Sequence, residues 1–292
     1  MLRSRWCQPD LGAWLAMDGC GEFRRLAAVV ASDRHTSELR PGARDPLLVL
    51  WRGLFGAWLP GHFQVPLQIL RDAGWICRIA PSAGGGTIAA NAARVARWLD
   101  ESPFVGTSQR PVILLCHSKG GLEALELCRT RPDWAARVSA LVFCQTPRSG
   151  CPLLEDLARP SGIRERSQAR ALRVMGAWTA SQELTTAAIS QALPEWDGAR
   201  PAAPLICVAS WSDTPGWGIE AQHSRMAKRA PGHLHDGLFF LDDQLWPVSE
   251  TIILKSVNHS QPTLGSQRFP LGQLWLTLAA LAARRGEASV QI

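Results

Sequence analysis

The 292-residue sequence predicts an α/β protein with a mostly parallel central sheet, helices on both faces of that sheet and a helical insertion. Two observations carry this prediction. Short apolar runs recur along the chain with helical patterns between them, which is typical of βαβ units. One of these runs, Val112–Cys116, contains no polar residue, as expected for a strand that is covered on both faces.

The elements can be assigned in chain order. Strands are predicted over Leu47–Trp51, Trp75–Ile79, Val112–Cys116, Val138–Phe143, Pro204–Ser210 and Thr251–Val257. Helices are predicted over His62–Asp72, Thr87–Leu99, from Leu122 onwards, and over Leu271–Ala283. Because strands alternate with helices, right-handed crossovers and a parallel sheet are expected.

Two parts of the chain stand outside this alternation. Residues 1–45 are expected to form an N-terminal extension that packs on the main domain, residues 46–292. Residues 151–203, approximately, lack strand character and contain helical patterns such as Ser167–Trp178 and Glu183–Leu193. We therefore predict one large domain with a helical insertion at that point.

The charge pattern excludes several kinds of partner. The net charge is +6 at pH 7, and the arginines are scattered rather than clustered, which favours solvated faces over a nucleic-acid groove. No run reaches the roughly 18 apolar residues of a membrane-spanning helix. The segment Met1–Asp10 is followed by charged residues rather than by the apolar core of a signal peptide. We expect no nucleic-acid partner, no membrane span and a cytoplasmic location.

The cysteines predict neither disulfides nor a metal site. Of the eight cysteines, Cys77, Cys116, Cys144 and Cys207 lie in apolar, strand-like runs, which is typical of small buried side chains. No Cys-x-x-Cys or Cys/His pair has metal-ligand spacing. No metal and no cofactor are therefore expected, in a reducing compartment.

The stretch His117-Ser-Lys-Gly-Gly121 is all that separates the strand ending at Cys116 from the helix that follows. So tight a reversal strains the residue at its apex and requires small flanking residues. This is the arrangement of the nucleophile elbow, Gly-x-Ser-x-Gly, with Cys116 at the first glycine. It would present the Ser118 hydroxyl beside a helix N-terminus, where a carbonyl carbon can be attacked. The alternative is a buried turn that happens to contain a serine.

His-Ser-Lys-Gly-Gly after a strand resembles the α/β-hydrolase superfamily, in particular bacterial lipases and esterases, over about residues 45–265. The resemblance implies the α/β-hydrolase fold, a helical cap at the insertion, and cleavage of a small-molecule or lipid ester through an acyl-enzyme. The loop Arg52-Gly53-Leu54 resembles the lipase loop His-Gly-x. It implies that the backbone amides of Leu54 and Lys119 bind the oxyanion, with Arg52 in place of the family histidine.

An activated serine needs a base and an acid that orients the base, and in this superfamily they follow in the order Ser, Asp or Glu, His. His259, directly after a late strand, is the predicted base in preference to the earlier His223, His233 and His235. Asp243 is the preferred acid because Asp242-Asp-Gln-Leu-Trp-Pro-Val248 resembles the lipase segment Asn-Asp-Gly-Leu-Val-Pro-Val. Asp213, which follows a strand, and Asp242 are the alternatives.

The resemblance leaves three functions open. The first is a carboxylesterase or lipase that uses Ser118, His259 and Asp243. The second is a hydrolase-fold protein that binds a ligand without turnover, because Cys116 and Arg52 depart from the family pattern. The third is an acyltransferase with the same triad. Some lipases hold calcium through an aspartate just after the histidine, where this chain has Ser260 and Gln261, so no calcium is expected.

Overall fold

The computed structural model describes residues 11–18, 21–32, 46–102, 110–215, 219–247, 250–266 and 268–289. Expectations for the segment Met1–Asp10, and for the polar stretch over residues 33–45, lie outside the described residues.

A seven-stranded sheet forms the centre of the molecule, with strand order β1-β7-β6-β5-β4-β2-β3. The strands are β1 (Leu15–Asp18), β2 (Leu47–Trp51), β3 (Cys77–Ile79), β4 (Val112–His117), β5 (Val138–Cys144), β6 (Leu205–Trp211) and β7 (Glu250–Lys255). Strand β1 pairs antiparallel with β7, and the other neighbouring strands pair parallel. The predicted, mostly parallel sheet is confirmed.

Helices cover both faces of the sheet. They are α1 (Gly21–Ala31), α2 (Gln64–Asp72), α3 (Ile88–Glu101), α4 (Lys119–Thr130), α5 (Pro132–Ala135), α6 (Pro152–Ala158), α7 (Ile163–Val174), α8 (Trp178–Gln182), α9 (Thr186–Ala199), α10 (Glu220–Arg229), α11 (Gln261–Leu264) and α12 (Leu271–Ser289). Helices α1, α2 and α12 pack on one face and α3, α4 and α9 on the other. Helix α10 was not predicted, because its apolar positions are few.

Strand β4 shows why its sequence is uniformly apolar. Ile113 and Leu115 belong to the core on one face of the sheet, whereas Leu114 and Cys116 belong to the core on the other. Successive side chains of a strand point to opposite faces, so a strand with helices on both sides needs apolar residues at every position. All six residues of β4 are buried.

The described part of residues 1–45 belongs to one of the two cores. Strand β1 extends the sheet at its edge, and Phe23 and Leu26 on α1 are fully buried in the same core as α12. Gln273 on α12 joins the two segments, because its side-chain oxygen accepts from the amide of Leu11 and its nitrogen donates to the carbonyl of Ala27.

The insertion between β5 and β6 is helical and consists of α6 to α9. Helix α9 is fastened to α4 by a hydrogen bond of 3.0 Å from the Trp196 indole to Glu126. Leu157, Leu172 and Ala177 form a small separate apolar cluster, against which Phe55 from the loop after β2 packs. The insertion therefore contacts the loop that leads from β2 into the candidate site.

Within the described residues, no helix combines the length and the apolar character that crossing a bilayer requires.

Candidate active site

Ser118 occupies the apex of the turn between β4 and α4. Strand β4 ends at His117 and α4 begins at Lys119, so Ser118 alone joins them. Its backbone has φ 55° and ψ −132°, a strained conformation for a residue with a Cβ. A Cβ at Gly120 would lie 2.6 Å from the carbonyl oxygen of Trp51, so no larger residue fits there. These are the strain and the small flank that the sequence predicted for an elbow.

The loop after β2 lies directly against the serine. A Cβ added at Gly53 would lie 2.7 Å from Ser118 Cβ and 3.2 Å from its hydroxyl oxygen, so only glycine allows this approach. The amide of Phe55 donates to the carbonyl of Gly84 at 2.8 Å and holds the loop in place. Within the described residues, the amides of Leu54 and Lys119 make no hydrogen bond with another backbone group. Both predicted oxyanion donors therefore lie outside the backbone hydrogen bonds of the loop and the helix.

His259 lies at the end of the turn that follows β7, with Asp236 as its carboxylate partner. The Nδ1 atom of His259 lies 2.8 Å from Asp236 Oδ2, and the two side chains are 9% and 0% exposed. The amide of His259 also donates to the carbonyl of Asp236 at 2.9 Å. The ring of Phe239 packs edge-on against the imidazole, 5.0 Å away. A buried imidazole and a carboxylate that bonds it thus lie at the same edge of the sheet as Ser118.

The carboxylate that meets His259 is not the one preferred from the sequence. Asp243 lies in the 3₁₀ turn Asp242–Gln244, its amide donates to Phe240, and its carboxylate accepts a hydrogen bond from Ser149. Burial raises the pKa of the Asp243 carboxyl. Asp236 instead occupies the hydrogen-bonding position on Nδ1 of His259. The expectation that Asp243 would reach His259 is corrected to Asp236.

The other residues weighed in the search for a triad lie elsewhere. Asp213 follows β6, and its charge acts on His235. His223 on α10 packs its ring 4.6 Å from the ring of His235 and bonds the carbonyl of Ser212 through Nε2. Both histidines are buried rather than at the surface, because α10 closes over this loop. His233 is exposed.

One sequence signal points to Asp236. The triplet Asp236-Gly237-Leu238 matches the Asp-Gly-Leu of the lipase segment at all three positions, whereas Asp243-Gln244-Leu245 matches it at two. Gly237 has φ 106°, a conformation that favours glycine. The turn lets Asp236 Oδ1 accept from the amides of Leu238 at 2.8 Å and Phe239 at 2.9 Å. These bonds orient Oδ2 towards His259.

Gln145 joins the elbow strand to the His259 turn. Its side-chain nitrogen donates to the carbonyl of Asn258 at 3.1 Å, and its oxygen lies 3.1 Å from His117 Nε2. The same His117 nitrogen lies 3.0 Å from the carbonyl of His259. Since both partners are acceptors, Nε2 carries the proton, and burial holds the pKa of His117 well below its ordinary value. His117 is therefore a neutral donor that ties the two segments together.

The imidazole of His259 lies beside the elbow. Its ring centroid is 4.7 Å from that of His117, the residue before Ser118. Among the described residues, the Ser118 hydroxyl makes no hydrogen bond. Catalytic hydrogen bonds are often long in resting enzymes and shorten when substrate binds.

A buried ion pair supports the turn from beneath. Lys119 and Glu123 are each 1% exposed and contact one another directly. The Glu123 carboxylate also accepts from the Trp51 indole at 2.6 Å and from Asn91 at 2.8 Å, while the Lys119 ammonium donates to the carbonyl of Gly86 at 2.7 Å. Burial raises the pKa of Glu123, and the charge of Lys119 and these hydrogen bonds oppose that rise. The pair joins the first turn of α4 to β2 and to the glycine-rich loop.

The glycine-rich run Ser82–Gly86 supports two neighbouring segments through its backbone carbonyls. Gly84 accepts from Phe55, and Gly86 accepts from Lys119. The helix itself begins after Thr87, whose hydroxyl accepts from the amide of Ala90 at 3.2 Å. The run therefore holds the two loops that carry the candidate oxyanion donors.

The six cysteines in the described residues are free and buried, as predicted for small core side chains. In the same part of the chain, no group of three or more His, Cys, Asp or Glu side chains is arranged to hold a metal ion.

Comparisons with known proteins find likeness in structure alone. No family model matches the sequence, and neither does any curated protein. Among solved structures, a metagenomic carboxyl esterase superposes with a TM-score of 0.71 at 18% identity, covering 95% of each chain. The mature lipase BlEst2 of Bacillus licheniformis gives 0.63 at 17% identity, covering 81% of this chain and 94% of the lipase. The chain has the α/β-hydrolase fold that these structures share.

Proposed function

We propose that the chain is a serine hydrolase that cleaves carboxylic esters, as an esterase or lipase, through an acyl-enzyme. The observation that carries the proposal is the buried pair of His259 and Asp236, 2.8 Å apart, at the strained turn that bears Ser118. A base with an acid behind it, next to a serine at a helix N-terminus, is the arrangement that makes a hydroxyl nucleophilic. The structural likeness to a carboxyl esterase and a lipase agrees with it.

Each step of the reaction has a residue to perform it. The Asp236 carboxylate keeps the His259 proton on Nδ1, so that Nε2 is free to take the proton of Ser118 as its oxygen attacks the carbonyl carbon. The amides of Leu54 and Lys119 bind the oxyanion that forms. His259 then returns the proton to the leaving alcohol. In the second half, His259 takes a proton from water as the water oxygen attacks the acyl carbon. The bond to Ser118 then breaks, His259 returns the proton to the Ser118 oxygen, and the acid is released.

The acyl group would lie between the loop after β2 and the helical cap. Phe55 of that loop packs on the apolar cluster of Leu157, Leu172 and Ala177, so the side of the site facing the cap is apolar. An apolar wall with few polar groups fits the hydrocarbon part of a small-molecule or lipid ester.

Labelling with a fluorophosphonate probe tests the proposal, because the probe bonds only to an activated serine. We expect the wild-type protein to be labelled and the Ser118→Ala variant to be unlabelled. Ser190→Ala, which removes an exposed hydroxyl on α9, is the matched control and should label like the wild type. A folded wild-type protein that resists labelling would instead support a binding protein without turnover. Rates on chromogenic esters of increasing acyl length then separate esterase from lipase.

A further inference from the structure

Arg52 is the first residue of the loop after β2, which lies against Ser118. Its carbonyl oxygen would lie 2.9 Å from a Cβ at Gly120, and the next residue, Gly53, touches Ser118. A Cβ placed at Gly56 would lie 2.8 Å from the Arg52 Cβ and 3.3 Å from the His62 ring. The side chain therefore begins within the loop that faces the nucleophile.

No described residue pairs with the guanidinium of Arg52. It makes no hydrogen bond and no ion pair with any described residue, and its Nε atom is shielded from solvent as well. Several other partly buried arginines of the described residues pair with carboxylates, for example Arg131 with Asp100 and Arg225 with Asp156. Burial alone lowers the pKa of Arg52, with no carboxylate to raise it.

The groups around Arg52 leave its charge uncompensated. Its charge helps to lower the pKa of His62, and the ring of His62 lies 5.5 Å from that of His117. Both histidines are held neutral by burial. Two buried carboxylates of the candidate site already have partners, since Asp236 bonds His259 and Glu123 bonds Lys119. A partly buried cation without an anion is unfavourable, so a ligand that supplies the anion is favoured.

We infer that Arg52 binds a carboxylate on the substrate, so that the enzyme prefers esters of dicarboxylic acids with one free carboxylate over neutral esters. The inference rests on the proposed function and adds its substrate class. A guanidinium presents a planar fork of N–H donors that matches both oxygens of a carboxylate. The lipase-like loop has histidine at this position, whereas the arginine here adds a permanent charge.

A pair of chromogenic esters tests the preference. The 4-nitrophenyl monoester of adipic acid carries the carboxylate, and 4-nitrophenyl hexanoate has the same chain length without it. The ratio of their kcat/KM values is measured for wild type, Arg52→Gln and Arg52→Lys, after subtracting spontaneous hydrolysis. A substitution that harms folding or catalysis in general lowers kcat/KM for both esters equally and leaves their ratio unchanged. We expect the ratio to fall about 10- to 100-fold in Arg52→Gln, as for the loss of a charge-assisted hydrogen bond. Arg52→Lys, which keeps the positive charge, should retain part of the preference for the charged ester.

A binding measurement makes the test independent of turnover. Monomethyl adipate is titrated by calorimetry into Ser118→Ala and into Ser118→Ala with Arg52→Gln. We expect at least about tenfold weaker binding in the double variant. Equal ratios in wild type and Arg52→Gln, or equal binding to the two Ser118→Ala proteins, would overturn the inference. If the wild type hydrolyses neither ester but the two Ser118→Ala proteins still differ in binding, the proposed hydrolysis is contradicted and the role of Arg52 in binding the carboxylate is not.

Discussion

Replacing Asp236 by asparagine should remove activity while leaving the shape of the site intact. Asp236 Oδ1 accepts two amides, those of Leu238 and Phe239, so an asparagine keeps its carbonyl oxygen there. Its NH₂ group then stands where Oδ2 lay, 2.8 Å from His259 Nδ1. An NH₂ group only donates, so Nδ1 must accept and the ring proton moves to Nε2. A protonated Nε2 cannot take the proton of Ser118.

The expected loss is large because the wrong tautomer of His259 would be stabilised. The same change in a serine protease triad lowers kcat by about 10⁴-fold, which corresponds to roughly 5.4 kcal/mol. Asp243→Asn is the matched control, since it removes the carboxylate that the sequence favoured but that bonds Ser149 instead. We expect this variant to lose about 0.5–3 kcal/mol of folding stability and to keep its kcat.

Steady-state rates on a short chromogenic ester measure both variants, and thermal unfolding checks that each is folded. The reasoning is refuted if Asp236→Asn keeps wild-type kcat, and above all if Asp243→Asn loses it. That result would mean that the carboxylate used in turnover is not the one 2.8 Å from His259.

Two further predictions concern stability. Glu123→Gln leaves the buried Lys119 ammonium without its counter-charge and should lower the free energy of unfolding, measured with denaturant, by about 3–5 kcal/mol. The control Glu195→Gln, whose carboxylate is 70% exposed, should lower it by at most about 1 kcal/mol. Equal losses of stability in the two variants would contradict this prediction. Burial, and then the charges of Arg52 and His259, lower the pKa of His62 from 6.5 to about 3. Between these values only the unfolded chain protonates this histidine, so His62 should contribute a fall in the free energy of unfolding as pH drops below 6.5, by up to about 1.4 kcal/mol per pH unit. His62→Gln should flatten that slope by about one proton while leaving it unchanged near pH 8; an unaltered slope would disprove the assignment.

The sequence was sufficient to predict those elements that depend on residues close to one another along the chain. Each predicted strand of the parallel sheet is present, because a strand covered on both faces must be apolar at successive positions, as Val112–Cys116 is. The turn at Ser118 was also predictable, since the change of period and the glycines at 120 and 121 are adjacent in sequence. The catalytic roles of Ser118 and His259 stay predictions until the labelling and rate measurements are made.

Contacts between segments far apart in the sequence decided the partner of His259 and the burial of the Lys119–Glu123 pair. Asp236 and Asp243 are both acidic residues in the loop before the last strand, and only the folded path of that loop puts Asp236 beside His259. The Lys119–Glu123 pair looks like an exposed helical ion pair in sequence, yet packing against Trp51 buries it.

The sequence by itself determined the sheet, the helices that cover it and the strained serine, because those follow from the alternation of apolar residues and from local backbone sterics. Only the tertiary structure decided which carboxylate meets the imidazole and left the partly buried Arg52 without a carboxylate among the described residues. Such partners are chosen by distances between segments far apart in the chain, and no local pattern contains those distances.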